Sequence, residues 1–262
     1  MKILSIGNSF SVDAQRWVKD IFTAAGDEVT LGDLYIGGCP LERHCENMKS
    51  GLPAYEYFKD NKTLGAASLA AGLIDEDWDV ITLQQASHFS GMEETYLPYL
   101  TDLADHVRSV CPNAVIYIHQ TWAYEYNSAH HAFVNYGSDR RVMHERLTAA
   151  YRKAAEILAS PVLPVGKAVS LARENPLFDP EKGGIPITRD GFHLSYHQGR
   201  YLAGAVWYEA LTGKPIADVP FVPKSYEYMG RGNYRVLEDS VPTPEQMQVL
   251  KDCAHRAVSE GI

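Results

Sequence analysis

Two short stretches carry side chains that could together act on a carbonyl. Ser9 lies in Gly7-Asn8-Ser9-Phe10-Ser11, and Asp190-Gly191-Phe192-His193 places an acid three residues before a histidine. A serine is a weak nucleophile until a base takes its proton and a third group orients that base. If residues 190–193 turn back on themselves, the Asp190 carboxylate accepts from His193 Nδ1–H and leaves Nε2 to face a serine. The competing reading makes Asp190 a turn or cap residue and Ser9 a turn residue. Their joint placement, one after the first strand and the other before the last core helix, favours catalysis. Most of the other nine histidines have simpler readings: His130 and His131 fall in a polar loop, while His106, His144 and His255 fall in helical segments.

The elements that must position these groups follow from the hydrophobic pattern. Residues 2–6 are a short apolar run ended by Gly7, and Ala14, Trp17, Val18, Ile21, Phe22 and Ala25 recur at helical spacing. Ser9 therefore falls in a strand-to-helix turn, where an open α/β sheet forms its ligand crevice. Further strands are expected at 28–35, 79–83, 114–119 and 162–165. Helices are expected at 41–50, 69–74, 98–110, 142–158 and 201–211, with a capping box at Thr243 starting a last helix through Val258. Residues 54–65 read as an inserted hairpin or loop turning at Asp60-Asn61. The adjacent glycines Gly37 and Gly38 suit a tight turn or an anion-binding nest. Five strand–helix alternations without a composition break predict one domain over 1–262. Its core covers about 1–212, with a C-terminal loop and helix over 213–262, around a five-stranded, mostly parallel sheet covered on both faces.

Composition narrows the function. The chain has 262 residues, 45% of them hydrophobic, so it can bury a sizeable core. A formal charge of -9 argues against nucleic acid as a partner, and nothing in the pattern suggests a membrane. The N-terminus reads as a mature core strand, which predicts a cytoplasmic protein unless an export signal was removed. Four cysteines without a CxxC pair predict free thiols. Gly-x-Gly-x-x-Gly, a Walker lysine and helical His pairs are missing, so neither metal nor organic cofactor is expected. The metal-dependent alternative would recruit His44, Cys39 or His119.

Taken together, Gly7-Asn8-Ser9-Phe10-Ser11 and Asp190-Gly191-Phe192-His193 resemble the SGNH (GDSL-like) hydrolase superfamily, in its carbohydrate-esterase-like branch. The resemblance spans about residues 1–212. It implies a flavodoxin-like three-layer α/β/α fold and a serine esterase with Ser9, His193 and Asp190 as its triad. The first block departs from Gly-Asp-Ser-Leu at Asn8 and Phe10, and Asn8 has no explanation in the sequence; Ser11 reads as the cap of the first helix. The second block implies that Gly38, in preference to Gly37, gives an oxyanion-hole N–H beside that of Ser9. The third block, normally Gly-x-Asn-Asp, reads Leu83-Gln84-Gln85-Ala86-Ser87. Gln85, rather than its neighbour Gln84, is the expected amide donor. Trp122 and Tyr124, with the aromatics of 226–234, are expected to wall a substrate site or else to be core and surface residues. The implied substrate is a small acyl ester, an acetyl ester first, or an O-acetylated glycan; the rival class is a non-catalytic small-molecule or carbohydrate binder.

Overall fold

A computed structural model describes residues 1–230, 233–236 and 241–262, with backbone alone for 226–230 and 233–236. Strand β1 (Lys2–Gly7) lies at the centre of the main sheet. It pairs in parallel with β2 (Thr30–Tyr35) on one side and with β5 (Val80–Leu83) on the other. Strands β6 (Val115–His119) and β7 (Val162–Leu163) extend that second side in parallel. Burial on both faces explains why β1 reads as a nearly continuous apolar run rather than an alternating one. Because the chain builds outward first to one side of β1 and then to the other, the loops leaving β1 and β5 flank a topological switch point. Such a point is where an open parallel sheet splays its connections and leaves a crevice.

Among the described residues the sheet has seven strands rather than the expected five. The extra pair is β3 (Tyr55–Lys59) and β4 (Lys62–Ala67), a hairpin added antiparallel to β2 at the sheet edge. Asp60 and Asn61 both have positive φ, 50° and 62°, as a two-residue hairpin turn requires. The five parallel strands are those read from the sequence; Tyr55 and Tyr57, buried on one face, give the hairpin its place in the sheet.

Helices α1 (Ser9–Gln15), α2 (Val18–Ala24), α7 (Val165–Glu174), α8 (Gln198–Thr212) and α9 (Pro244–Glu260) pack among themselves as one layer. A second group comprises α3 (Leu41–Ser50), α4 (Leu69–Leu73), α5 (Tyr99–Val110) and α6 (Arg140–Leu158). Thr243 caps α9 with the expected reciprocal bonds to Gln246. The single first helix expected from periodicity is broken into α1 and α2. At the break Gln15 Nε2 reaches Ser5 Oγ and the Gly32 carbonyl, and the Trp17 indole N–H donates to the Tyr196 carbonyl. These are tertiary bonds, invisible to local periodicity. Helix α7 was not marked by the pattern either, since only Pro164 separates it from β7. Strands β8 (Tyr226–Gly230) and β9 (Asn233–Val236) form a separate antiparallel pair. No helix among the described residues is long and apolar enough to cross a membrane.

Candidate active site

Ser9 is the first residue of α1, at the end of the turn leaving β1. The turn is tight: a Cβ on Gly7 would stand 2.5 Å from Ser11 Oγ, so only glycine fits between the strand end and the helix. The helix is capped by Asn8, whose Oδ1 accepts from Phe10 N–H at 3.0 Å. Ser11, expected as the cap, instead donates its hydroxyl to the Asn8 carbonyl and to Asp33 Oδ1. It is buried inside the first turn rather than at its head.

The tertiary fold brings His193 against Ser9 across 184 residues, with Nε2 and Oγ 2.8 Å apart. His193 Nδ1 lies 2.7 Å from Asp190 Oδ2. A carboxylate can only accept, so Nδ1 carries the proton and Nε2 is left to accept from the Ser9 hydroxyl. Asp190 Oδ1 takes the backbone N–H groups of His193 and Phe192, which folds the four residues into a closed turn. Gly191, at φ +88°, supplies the left-handed residue that turn needs. Partial burial opposes the charge on Asp190, but the bonds from the His193 ring and from the two backbone N–H groups outweigh it and hold its pKa below the ordinary carboxylate value.

This loop is braced from two sides. Residues 122–125 run beside it as a strap: the Trp122 indole N–H donates to the Phe192 carbonyl and Glu125 N–H to the Gly191 carbonyl, both at 2.7 Å. From α1, Asp13 accepts Leu194 N–H at 2.8 Å and pairs with Arg189 and Arg200. Asp13 is one helical turn beyond Ser9, so its carboxylate lies on the same helix face. A single short helix thus presents Ser9 and anchors the segment carrying its histidine. The sequence reading missed Asp13; its spacing of four from Ser9 was the available signal.

The N–H groups of Ser9 and Gly38 donate to no other described group, and Gly38 is exposed beside the site. Gln85 is different. Expected as the oxyanion amide, it is fully buried: Nε2 donates to Thr95 O and Oγ1, while Oε1 accepts from Leu41 and Ala86 N–H. It ties three loops together, and its amide is already spent. Gln84 is equally engaged, donating from Nε2 to Asn8 Oδ1 at 2.8 Å and holding His119 Nδ1 at 2.6 Å through Oε1. Asn8 in turn donates from Nδ2 to the Cys39 carbonyl at 3.2 Å, next to Gly38. Two backbone atoms fix the direction of this chain. Phe10 N–H must donate and Cys39 O must accept, so Asn8, then Gln84, then His119 each have one allowed orientation. The departure at Asn8 from the Gly-Asp-Ser-Leu block that this turn resembles therefore has a role: its amide joins the Ser9 turn to the Gly38 turn, which a carboxylate cannot do.

Trp122 and Tyr124, expected to face substrate, are both fully buried. Trp122 stacks on Phe10 with centroids 4.2 Å apart, and Tyr124 bonds Ser87 Oγ and packs edge-on to Phe192. They back the site instead of lining it, because their rings fill the space behind the 190–193 turn. The aromatic side chains of 226–234 lie outside the described residues. The half-buried surface next to His193 is formed by Phe192, with His130 against it at 4.9 Å and His88 beyond. Among the described residues no three His, Cys, Asp or Glu side chains are grouped to hold a metal ion. His44 and Cys39 are buried, and burial lowers the imidazole pKa of His44 and His119 to about 3.

Comparison with known proteins adds the lineage. No curated protein matches the chain by sequence. Solved structures that share its fold at low identity include the following two. One is a Slackia heliotrinireducens protein proposed to be an SGNH hydrolase, 22% identical, with a TM-score of 0.52 over 80% of this chain and 97% of that one. The other is the lipase/acylhydrolase from Enterococcus faecalis, 14% identical, with a TM-score of 0.53 over 81% and 95%. These likenesses show the α/β/α arrangement of SGNH-type hydrolases, here with a seven-stranded sheet. A DUF4886 family protein from Bacteroides uniformis is 33% identical, with a TM-score of 0.86 over 99% of this chain and 95% of that one. The family model described as "Domain of unknown function (DUF4886)" matches residues 2–230, and on both grounds the chain belongs to the DUF4886 family.

Proposed function

We propose that this protein is a serine esterase that hydrolyses small acyl esters, acetyl esters first among them, through an acyl-enzyme on Ser9. The observation that carries the reading is the continuous relay from Asp190 through His193 to Ser9, with contacts of 2.7 and 2.8 Å. Its three members sit at the carboxyl end of β1 and on a loop braced to the same helix. His193 Nε2 takes the Ser9 proton as Oγ bonds to the ester carbonyl carbon. The negative oxygen then meets the N–H groups of Ser9 and Gly38, each such donor contributing on the order of 3 kcal/mol to the transition state. The imidazolium returns its proton to the leaving alkoxide, and the C–O ester bond breaks. Water, deprotonated by the same nitrogen, attacks the acyl-serine; Oγ leaves with the proton and the carboxylic acid is released.

A carbohydrate acetate suits the open setting of the relay, since the His193 side chain is about one-fifth exposed and Asp190 more so. The test is release of acetate from 4-nitrophenyl acetate and from acetylated sugars. Hydrolysis should resist a chelator and vanish in Ser9→Ala and His193→Ala, and a fluorophosphonate should label the native chain at Ser9. Activity that persists in Ser9→Ala rules out the serine mechanism; a native protein with neither turnover nor labelling is a binder.

A further inference from the structure

The strap that grips the 190–193 turn is itself gripped from behind by buried charges. Glu125, with 2% of its side chain exposed, accepts from Arg140 Nη1 through Oε1 and from Arg173 Nε through Oε2. Arg173, in the last turn of α7 and 4% exposed, also donates from Nη1 to the Ala123 carbonyl at 2.8 Å. One guanidinium thus spans the backbone of one strap residue and the side chain of another, and its planar fork fixes their spacing. The charges close among themselves, since the buried Asp179 pairs with Lys182 and feels the charge of Arg140. Arg173 Nη2 is nevertheless buried without a partner. An ion pair withdrawn from water with one nitrogen unpaired is a poor source of stability, because apolar side chains of the same volume avoid the desolvation. Its place in the fold gives it another use. Glu125 N–H donates to the Gly191 carbonyl and the Trp122 indole N–H to that of Phe192, both at 2.7 Å. Ser128 N–H donates to the Glu125 carbonyl at 2.9 Å, and Ser128 packs so closely on Gly191 that a Cβ there would stand 3.0 Å from Ser128 Cα. Gly191 is the left-handed residue on which the turn closes, so a shift of the Glu125 backbone passes to the Asp190–His193 pair with no flexible side chain in between.

We infer that Arg173 and Glu125 are positioning residues for the Asp190–His193 turn: they set where the strap holds Gly191, and so how His193 Nε2 is aimed at Ser9. The kinetic consequence rests on the esterase reading above, whereas the exchange of backbone N–H groups does not. Three variants test it. Arg173→Lys keeps the charge but loses the fork, and Glu125→Gln keeps the shape but loses the charge. Glu125→Leu combined with Arg173→Met removes both ions and fills their space with apolar side chains. In each folded variant kcat for 4-nitrophenyl acetate should fall, by about 10²-fold in the double variant, with KM unchanged, because reacting groups are misplaced while substrate binding is untouched. Hydrogen exchange followed by mass spectrometry should show residues 189–194 exchanging about tenfold faster or more, while β1 keeps its native protection. The exposed Arg141→Ala, next to Arg140, should change neither quantity. Native exchange at 189–194 in the double variant or, should that variant not fold, in Arg173→Lys overturns the inference. So does native kcat in a variant whose turn exchanges faster, or exchange that rises equally in β1 and in the turn, the mark of a pair that serves stability alone. A native chain that hydrolyses no ester refutes the esterase reading, and exchange then decides the positioning role by itself.

Discussion

Asn8→Asp restores the acid of the Gly-Asp-Ser-Leu block that this turn resembles and, by the geometry here, should harm the protein in a pH-dependent way. Asn8 is 1% exposed and uses both ends of its amide. Oδ1 accepts from Phe10 N–H and Gln84 Nε2, and an aspartate oxygen would keep both bonds. The change falls on the other atom, which now donates to the Cys39 carbonyl at 3.2 Å and would become an oxygen facing an oxygen. Orphaning a buried acceptor costs about 1–3 kcal/mol, with more added for the desolvated charge. Protonation repairs the defect, because a carboxylic acid can donate to that carbonyl. The variant carboxyl should thus have a folded pKa raised above its unfolded value of about 3.9. Above that value the folded state holds more protons than the unfolded one, so stability falls as pH rises, by at most about 1.4 kcal/mol per unit, until the folded pKa is passed. We expect Asn8→Asp to lose about 2–4 kcal/mol at pH 8 and under about 1 kcal/mol near pH 4.5. Urea unfolding of both proteins at the two pH values measures this, and ester hydrolysis at pH 8 should fall with the Gly38 turn. An equal loss at both pH values, or none at either, refutes the proposed hydrogen-bond chain.

Three further perturbations test other parts of the site. Asp190→Asn removes the acceptor of His193 Nδ1–H; we expect kcat to drop about 10³-fold or more with an unchanged circular dichroism spectrum. Asp13→Asn leaves Arg189 and Arg200 without their shared carboxylate and should cost about 3–5 kcal/mol in denaturant unfolding, together with most of the proposed esterase activity; native-like stability would show that Asp13 does not anchor the loop. Asp33 is buried with Oδ2 unpartnered, and burial raises its pKa well above the usual range, against a smaller opposing effect of the Ser11 bond. By the same sign as above, its ionisation costs stability as pH rises beyond the unfolded value. Asp33→Asn should therefore stabilise the protein, by a margin that grows between pH 4 and pH 8 as the unfolded carboxyl ionises and the folded one does not, whereas a margin independent of pH would show that folding does not raise the Asp33 pKa.

Much of the architecture was legible from one dimension because it rests on local chemistry. The apolar run 2–6 ended by Gly7, the Asp60-Asn61 turn and the Thr243 capping box each specify their own backbone. The Asp190–His193 turn is local too, closing through bonds to residues two and three positions away. The hairpin at 54–65 could be located as an insertion, but its joining to β2 depends on a partner strand. The break between α1 and α2 depends on contacts of Gln15 and Trp17 with distant groups.

Residue types and spacing by themselves determined which serine, histidine and acid could form a relay, and at which strand end the serine would stand. Only the tertiary structure decided what the amides and aromatics around them do. Gln85 turned inward because Leu41, Ala86 and Thr95 converge on it, Trp122 and Tyr124 were covered by the loop they support, and Asn8 acquired its partners from the loop after β5 and the Cys39 turn. An amide can face either way and an aromatic ring can lie on either side of a loop at similar local cost. The choice is made by burial and by partners that the chain brings together from far apart.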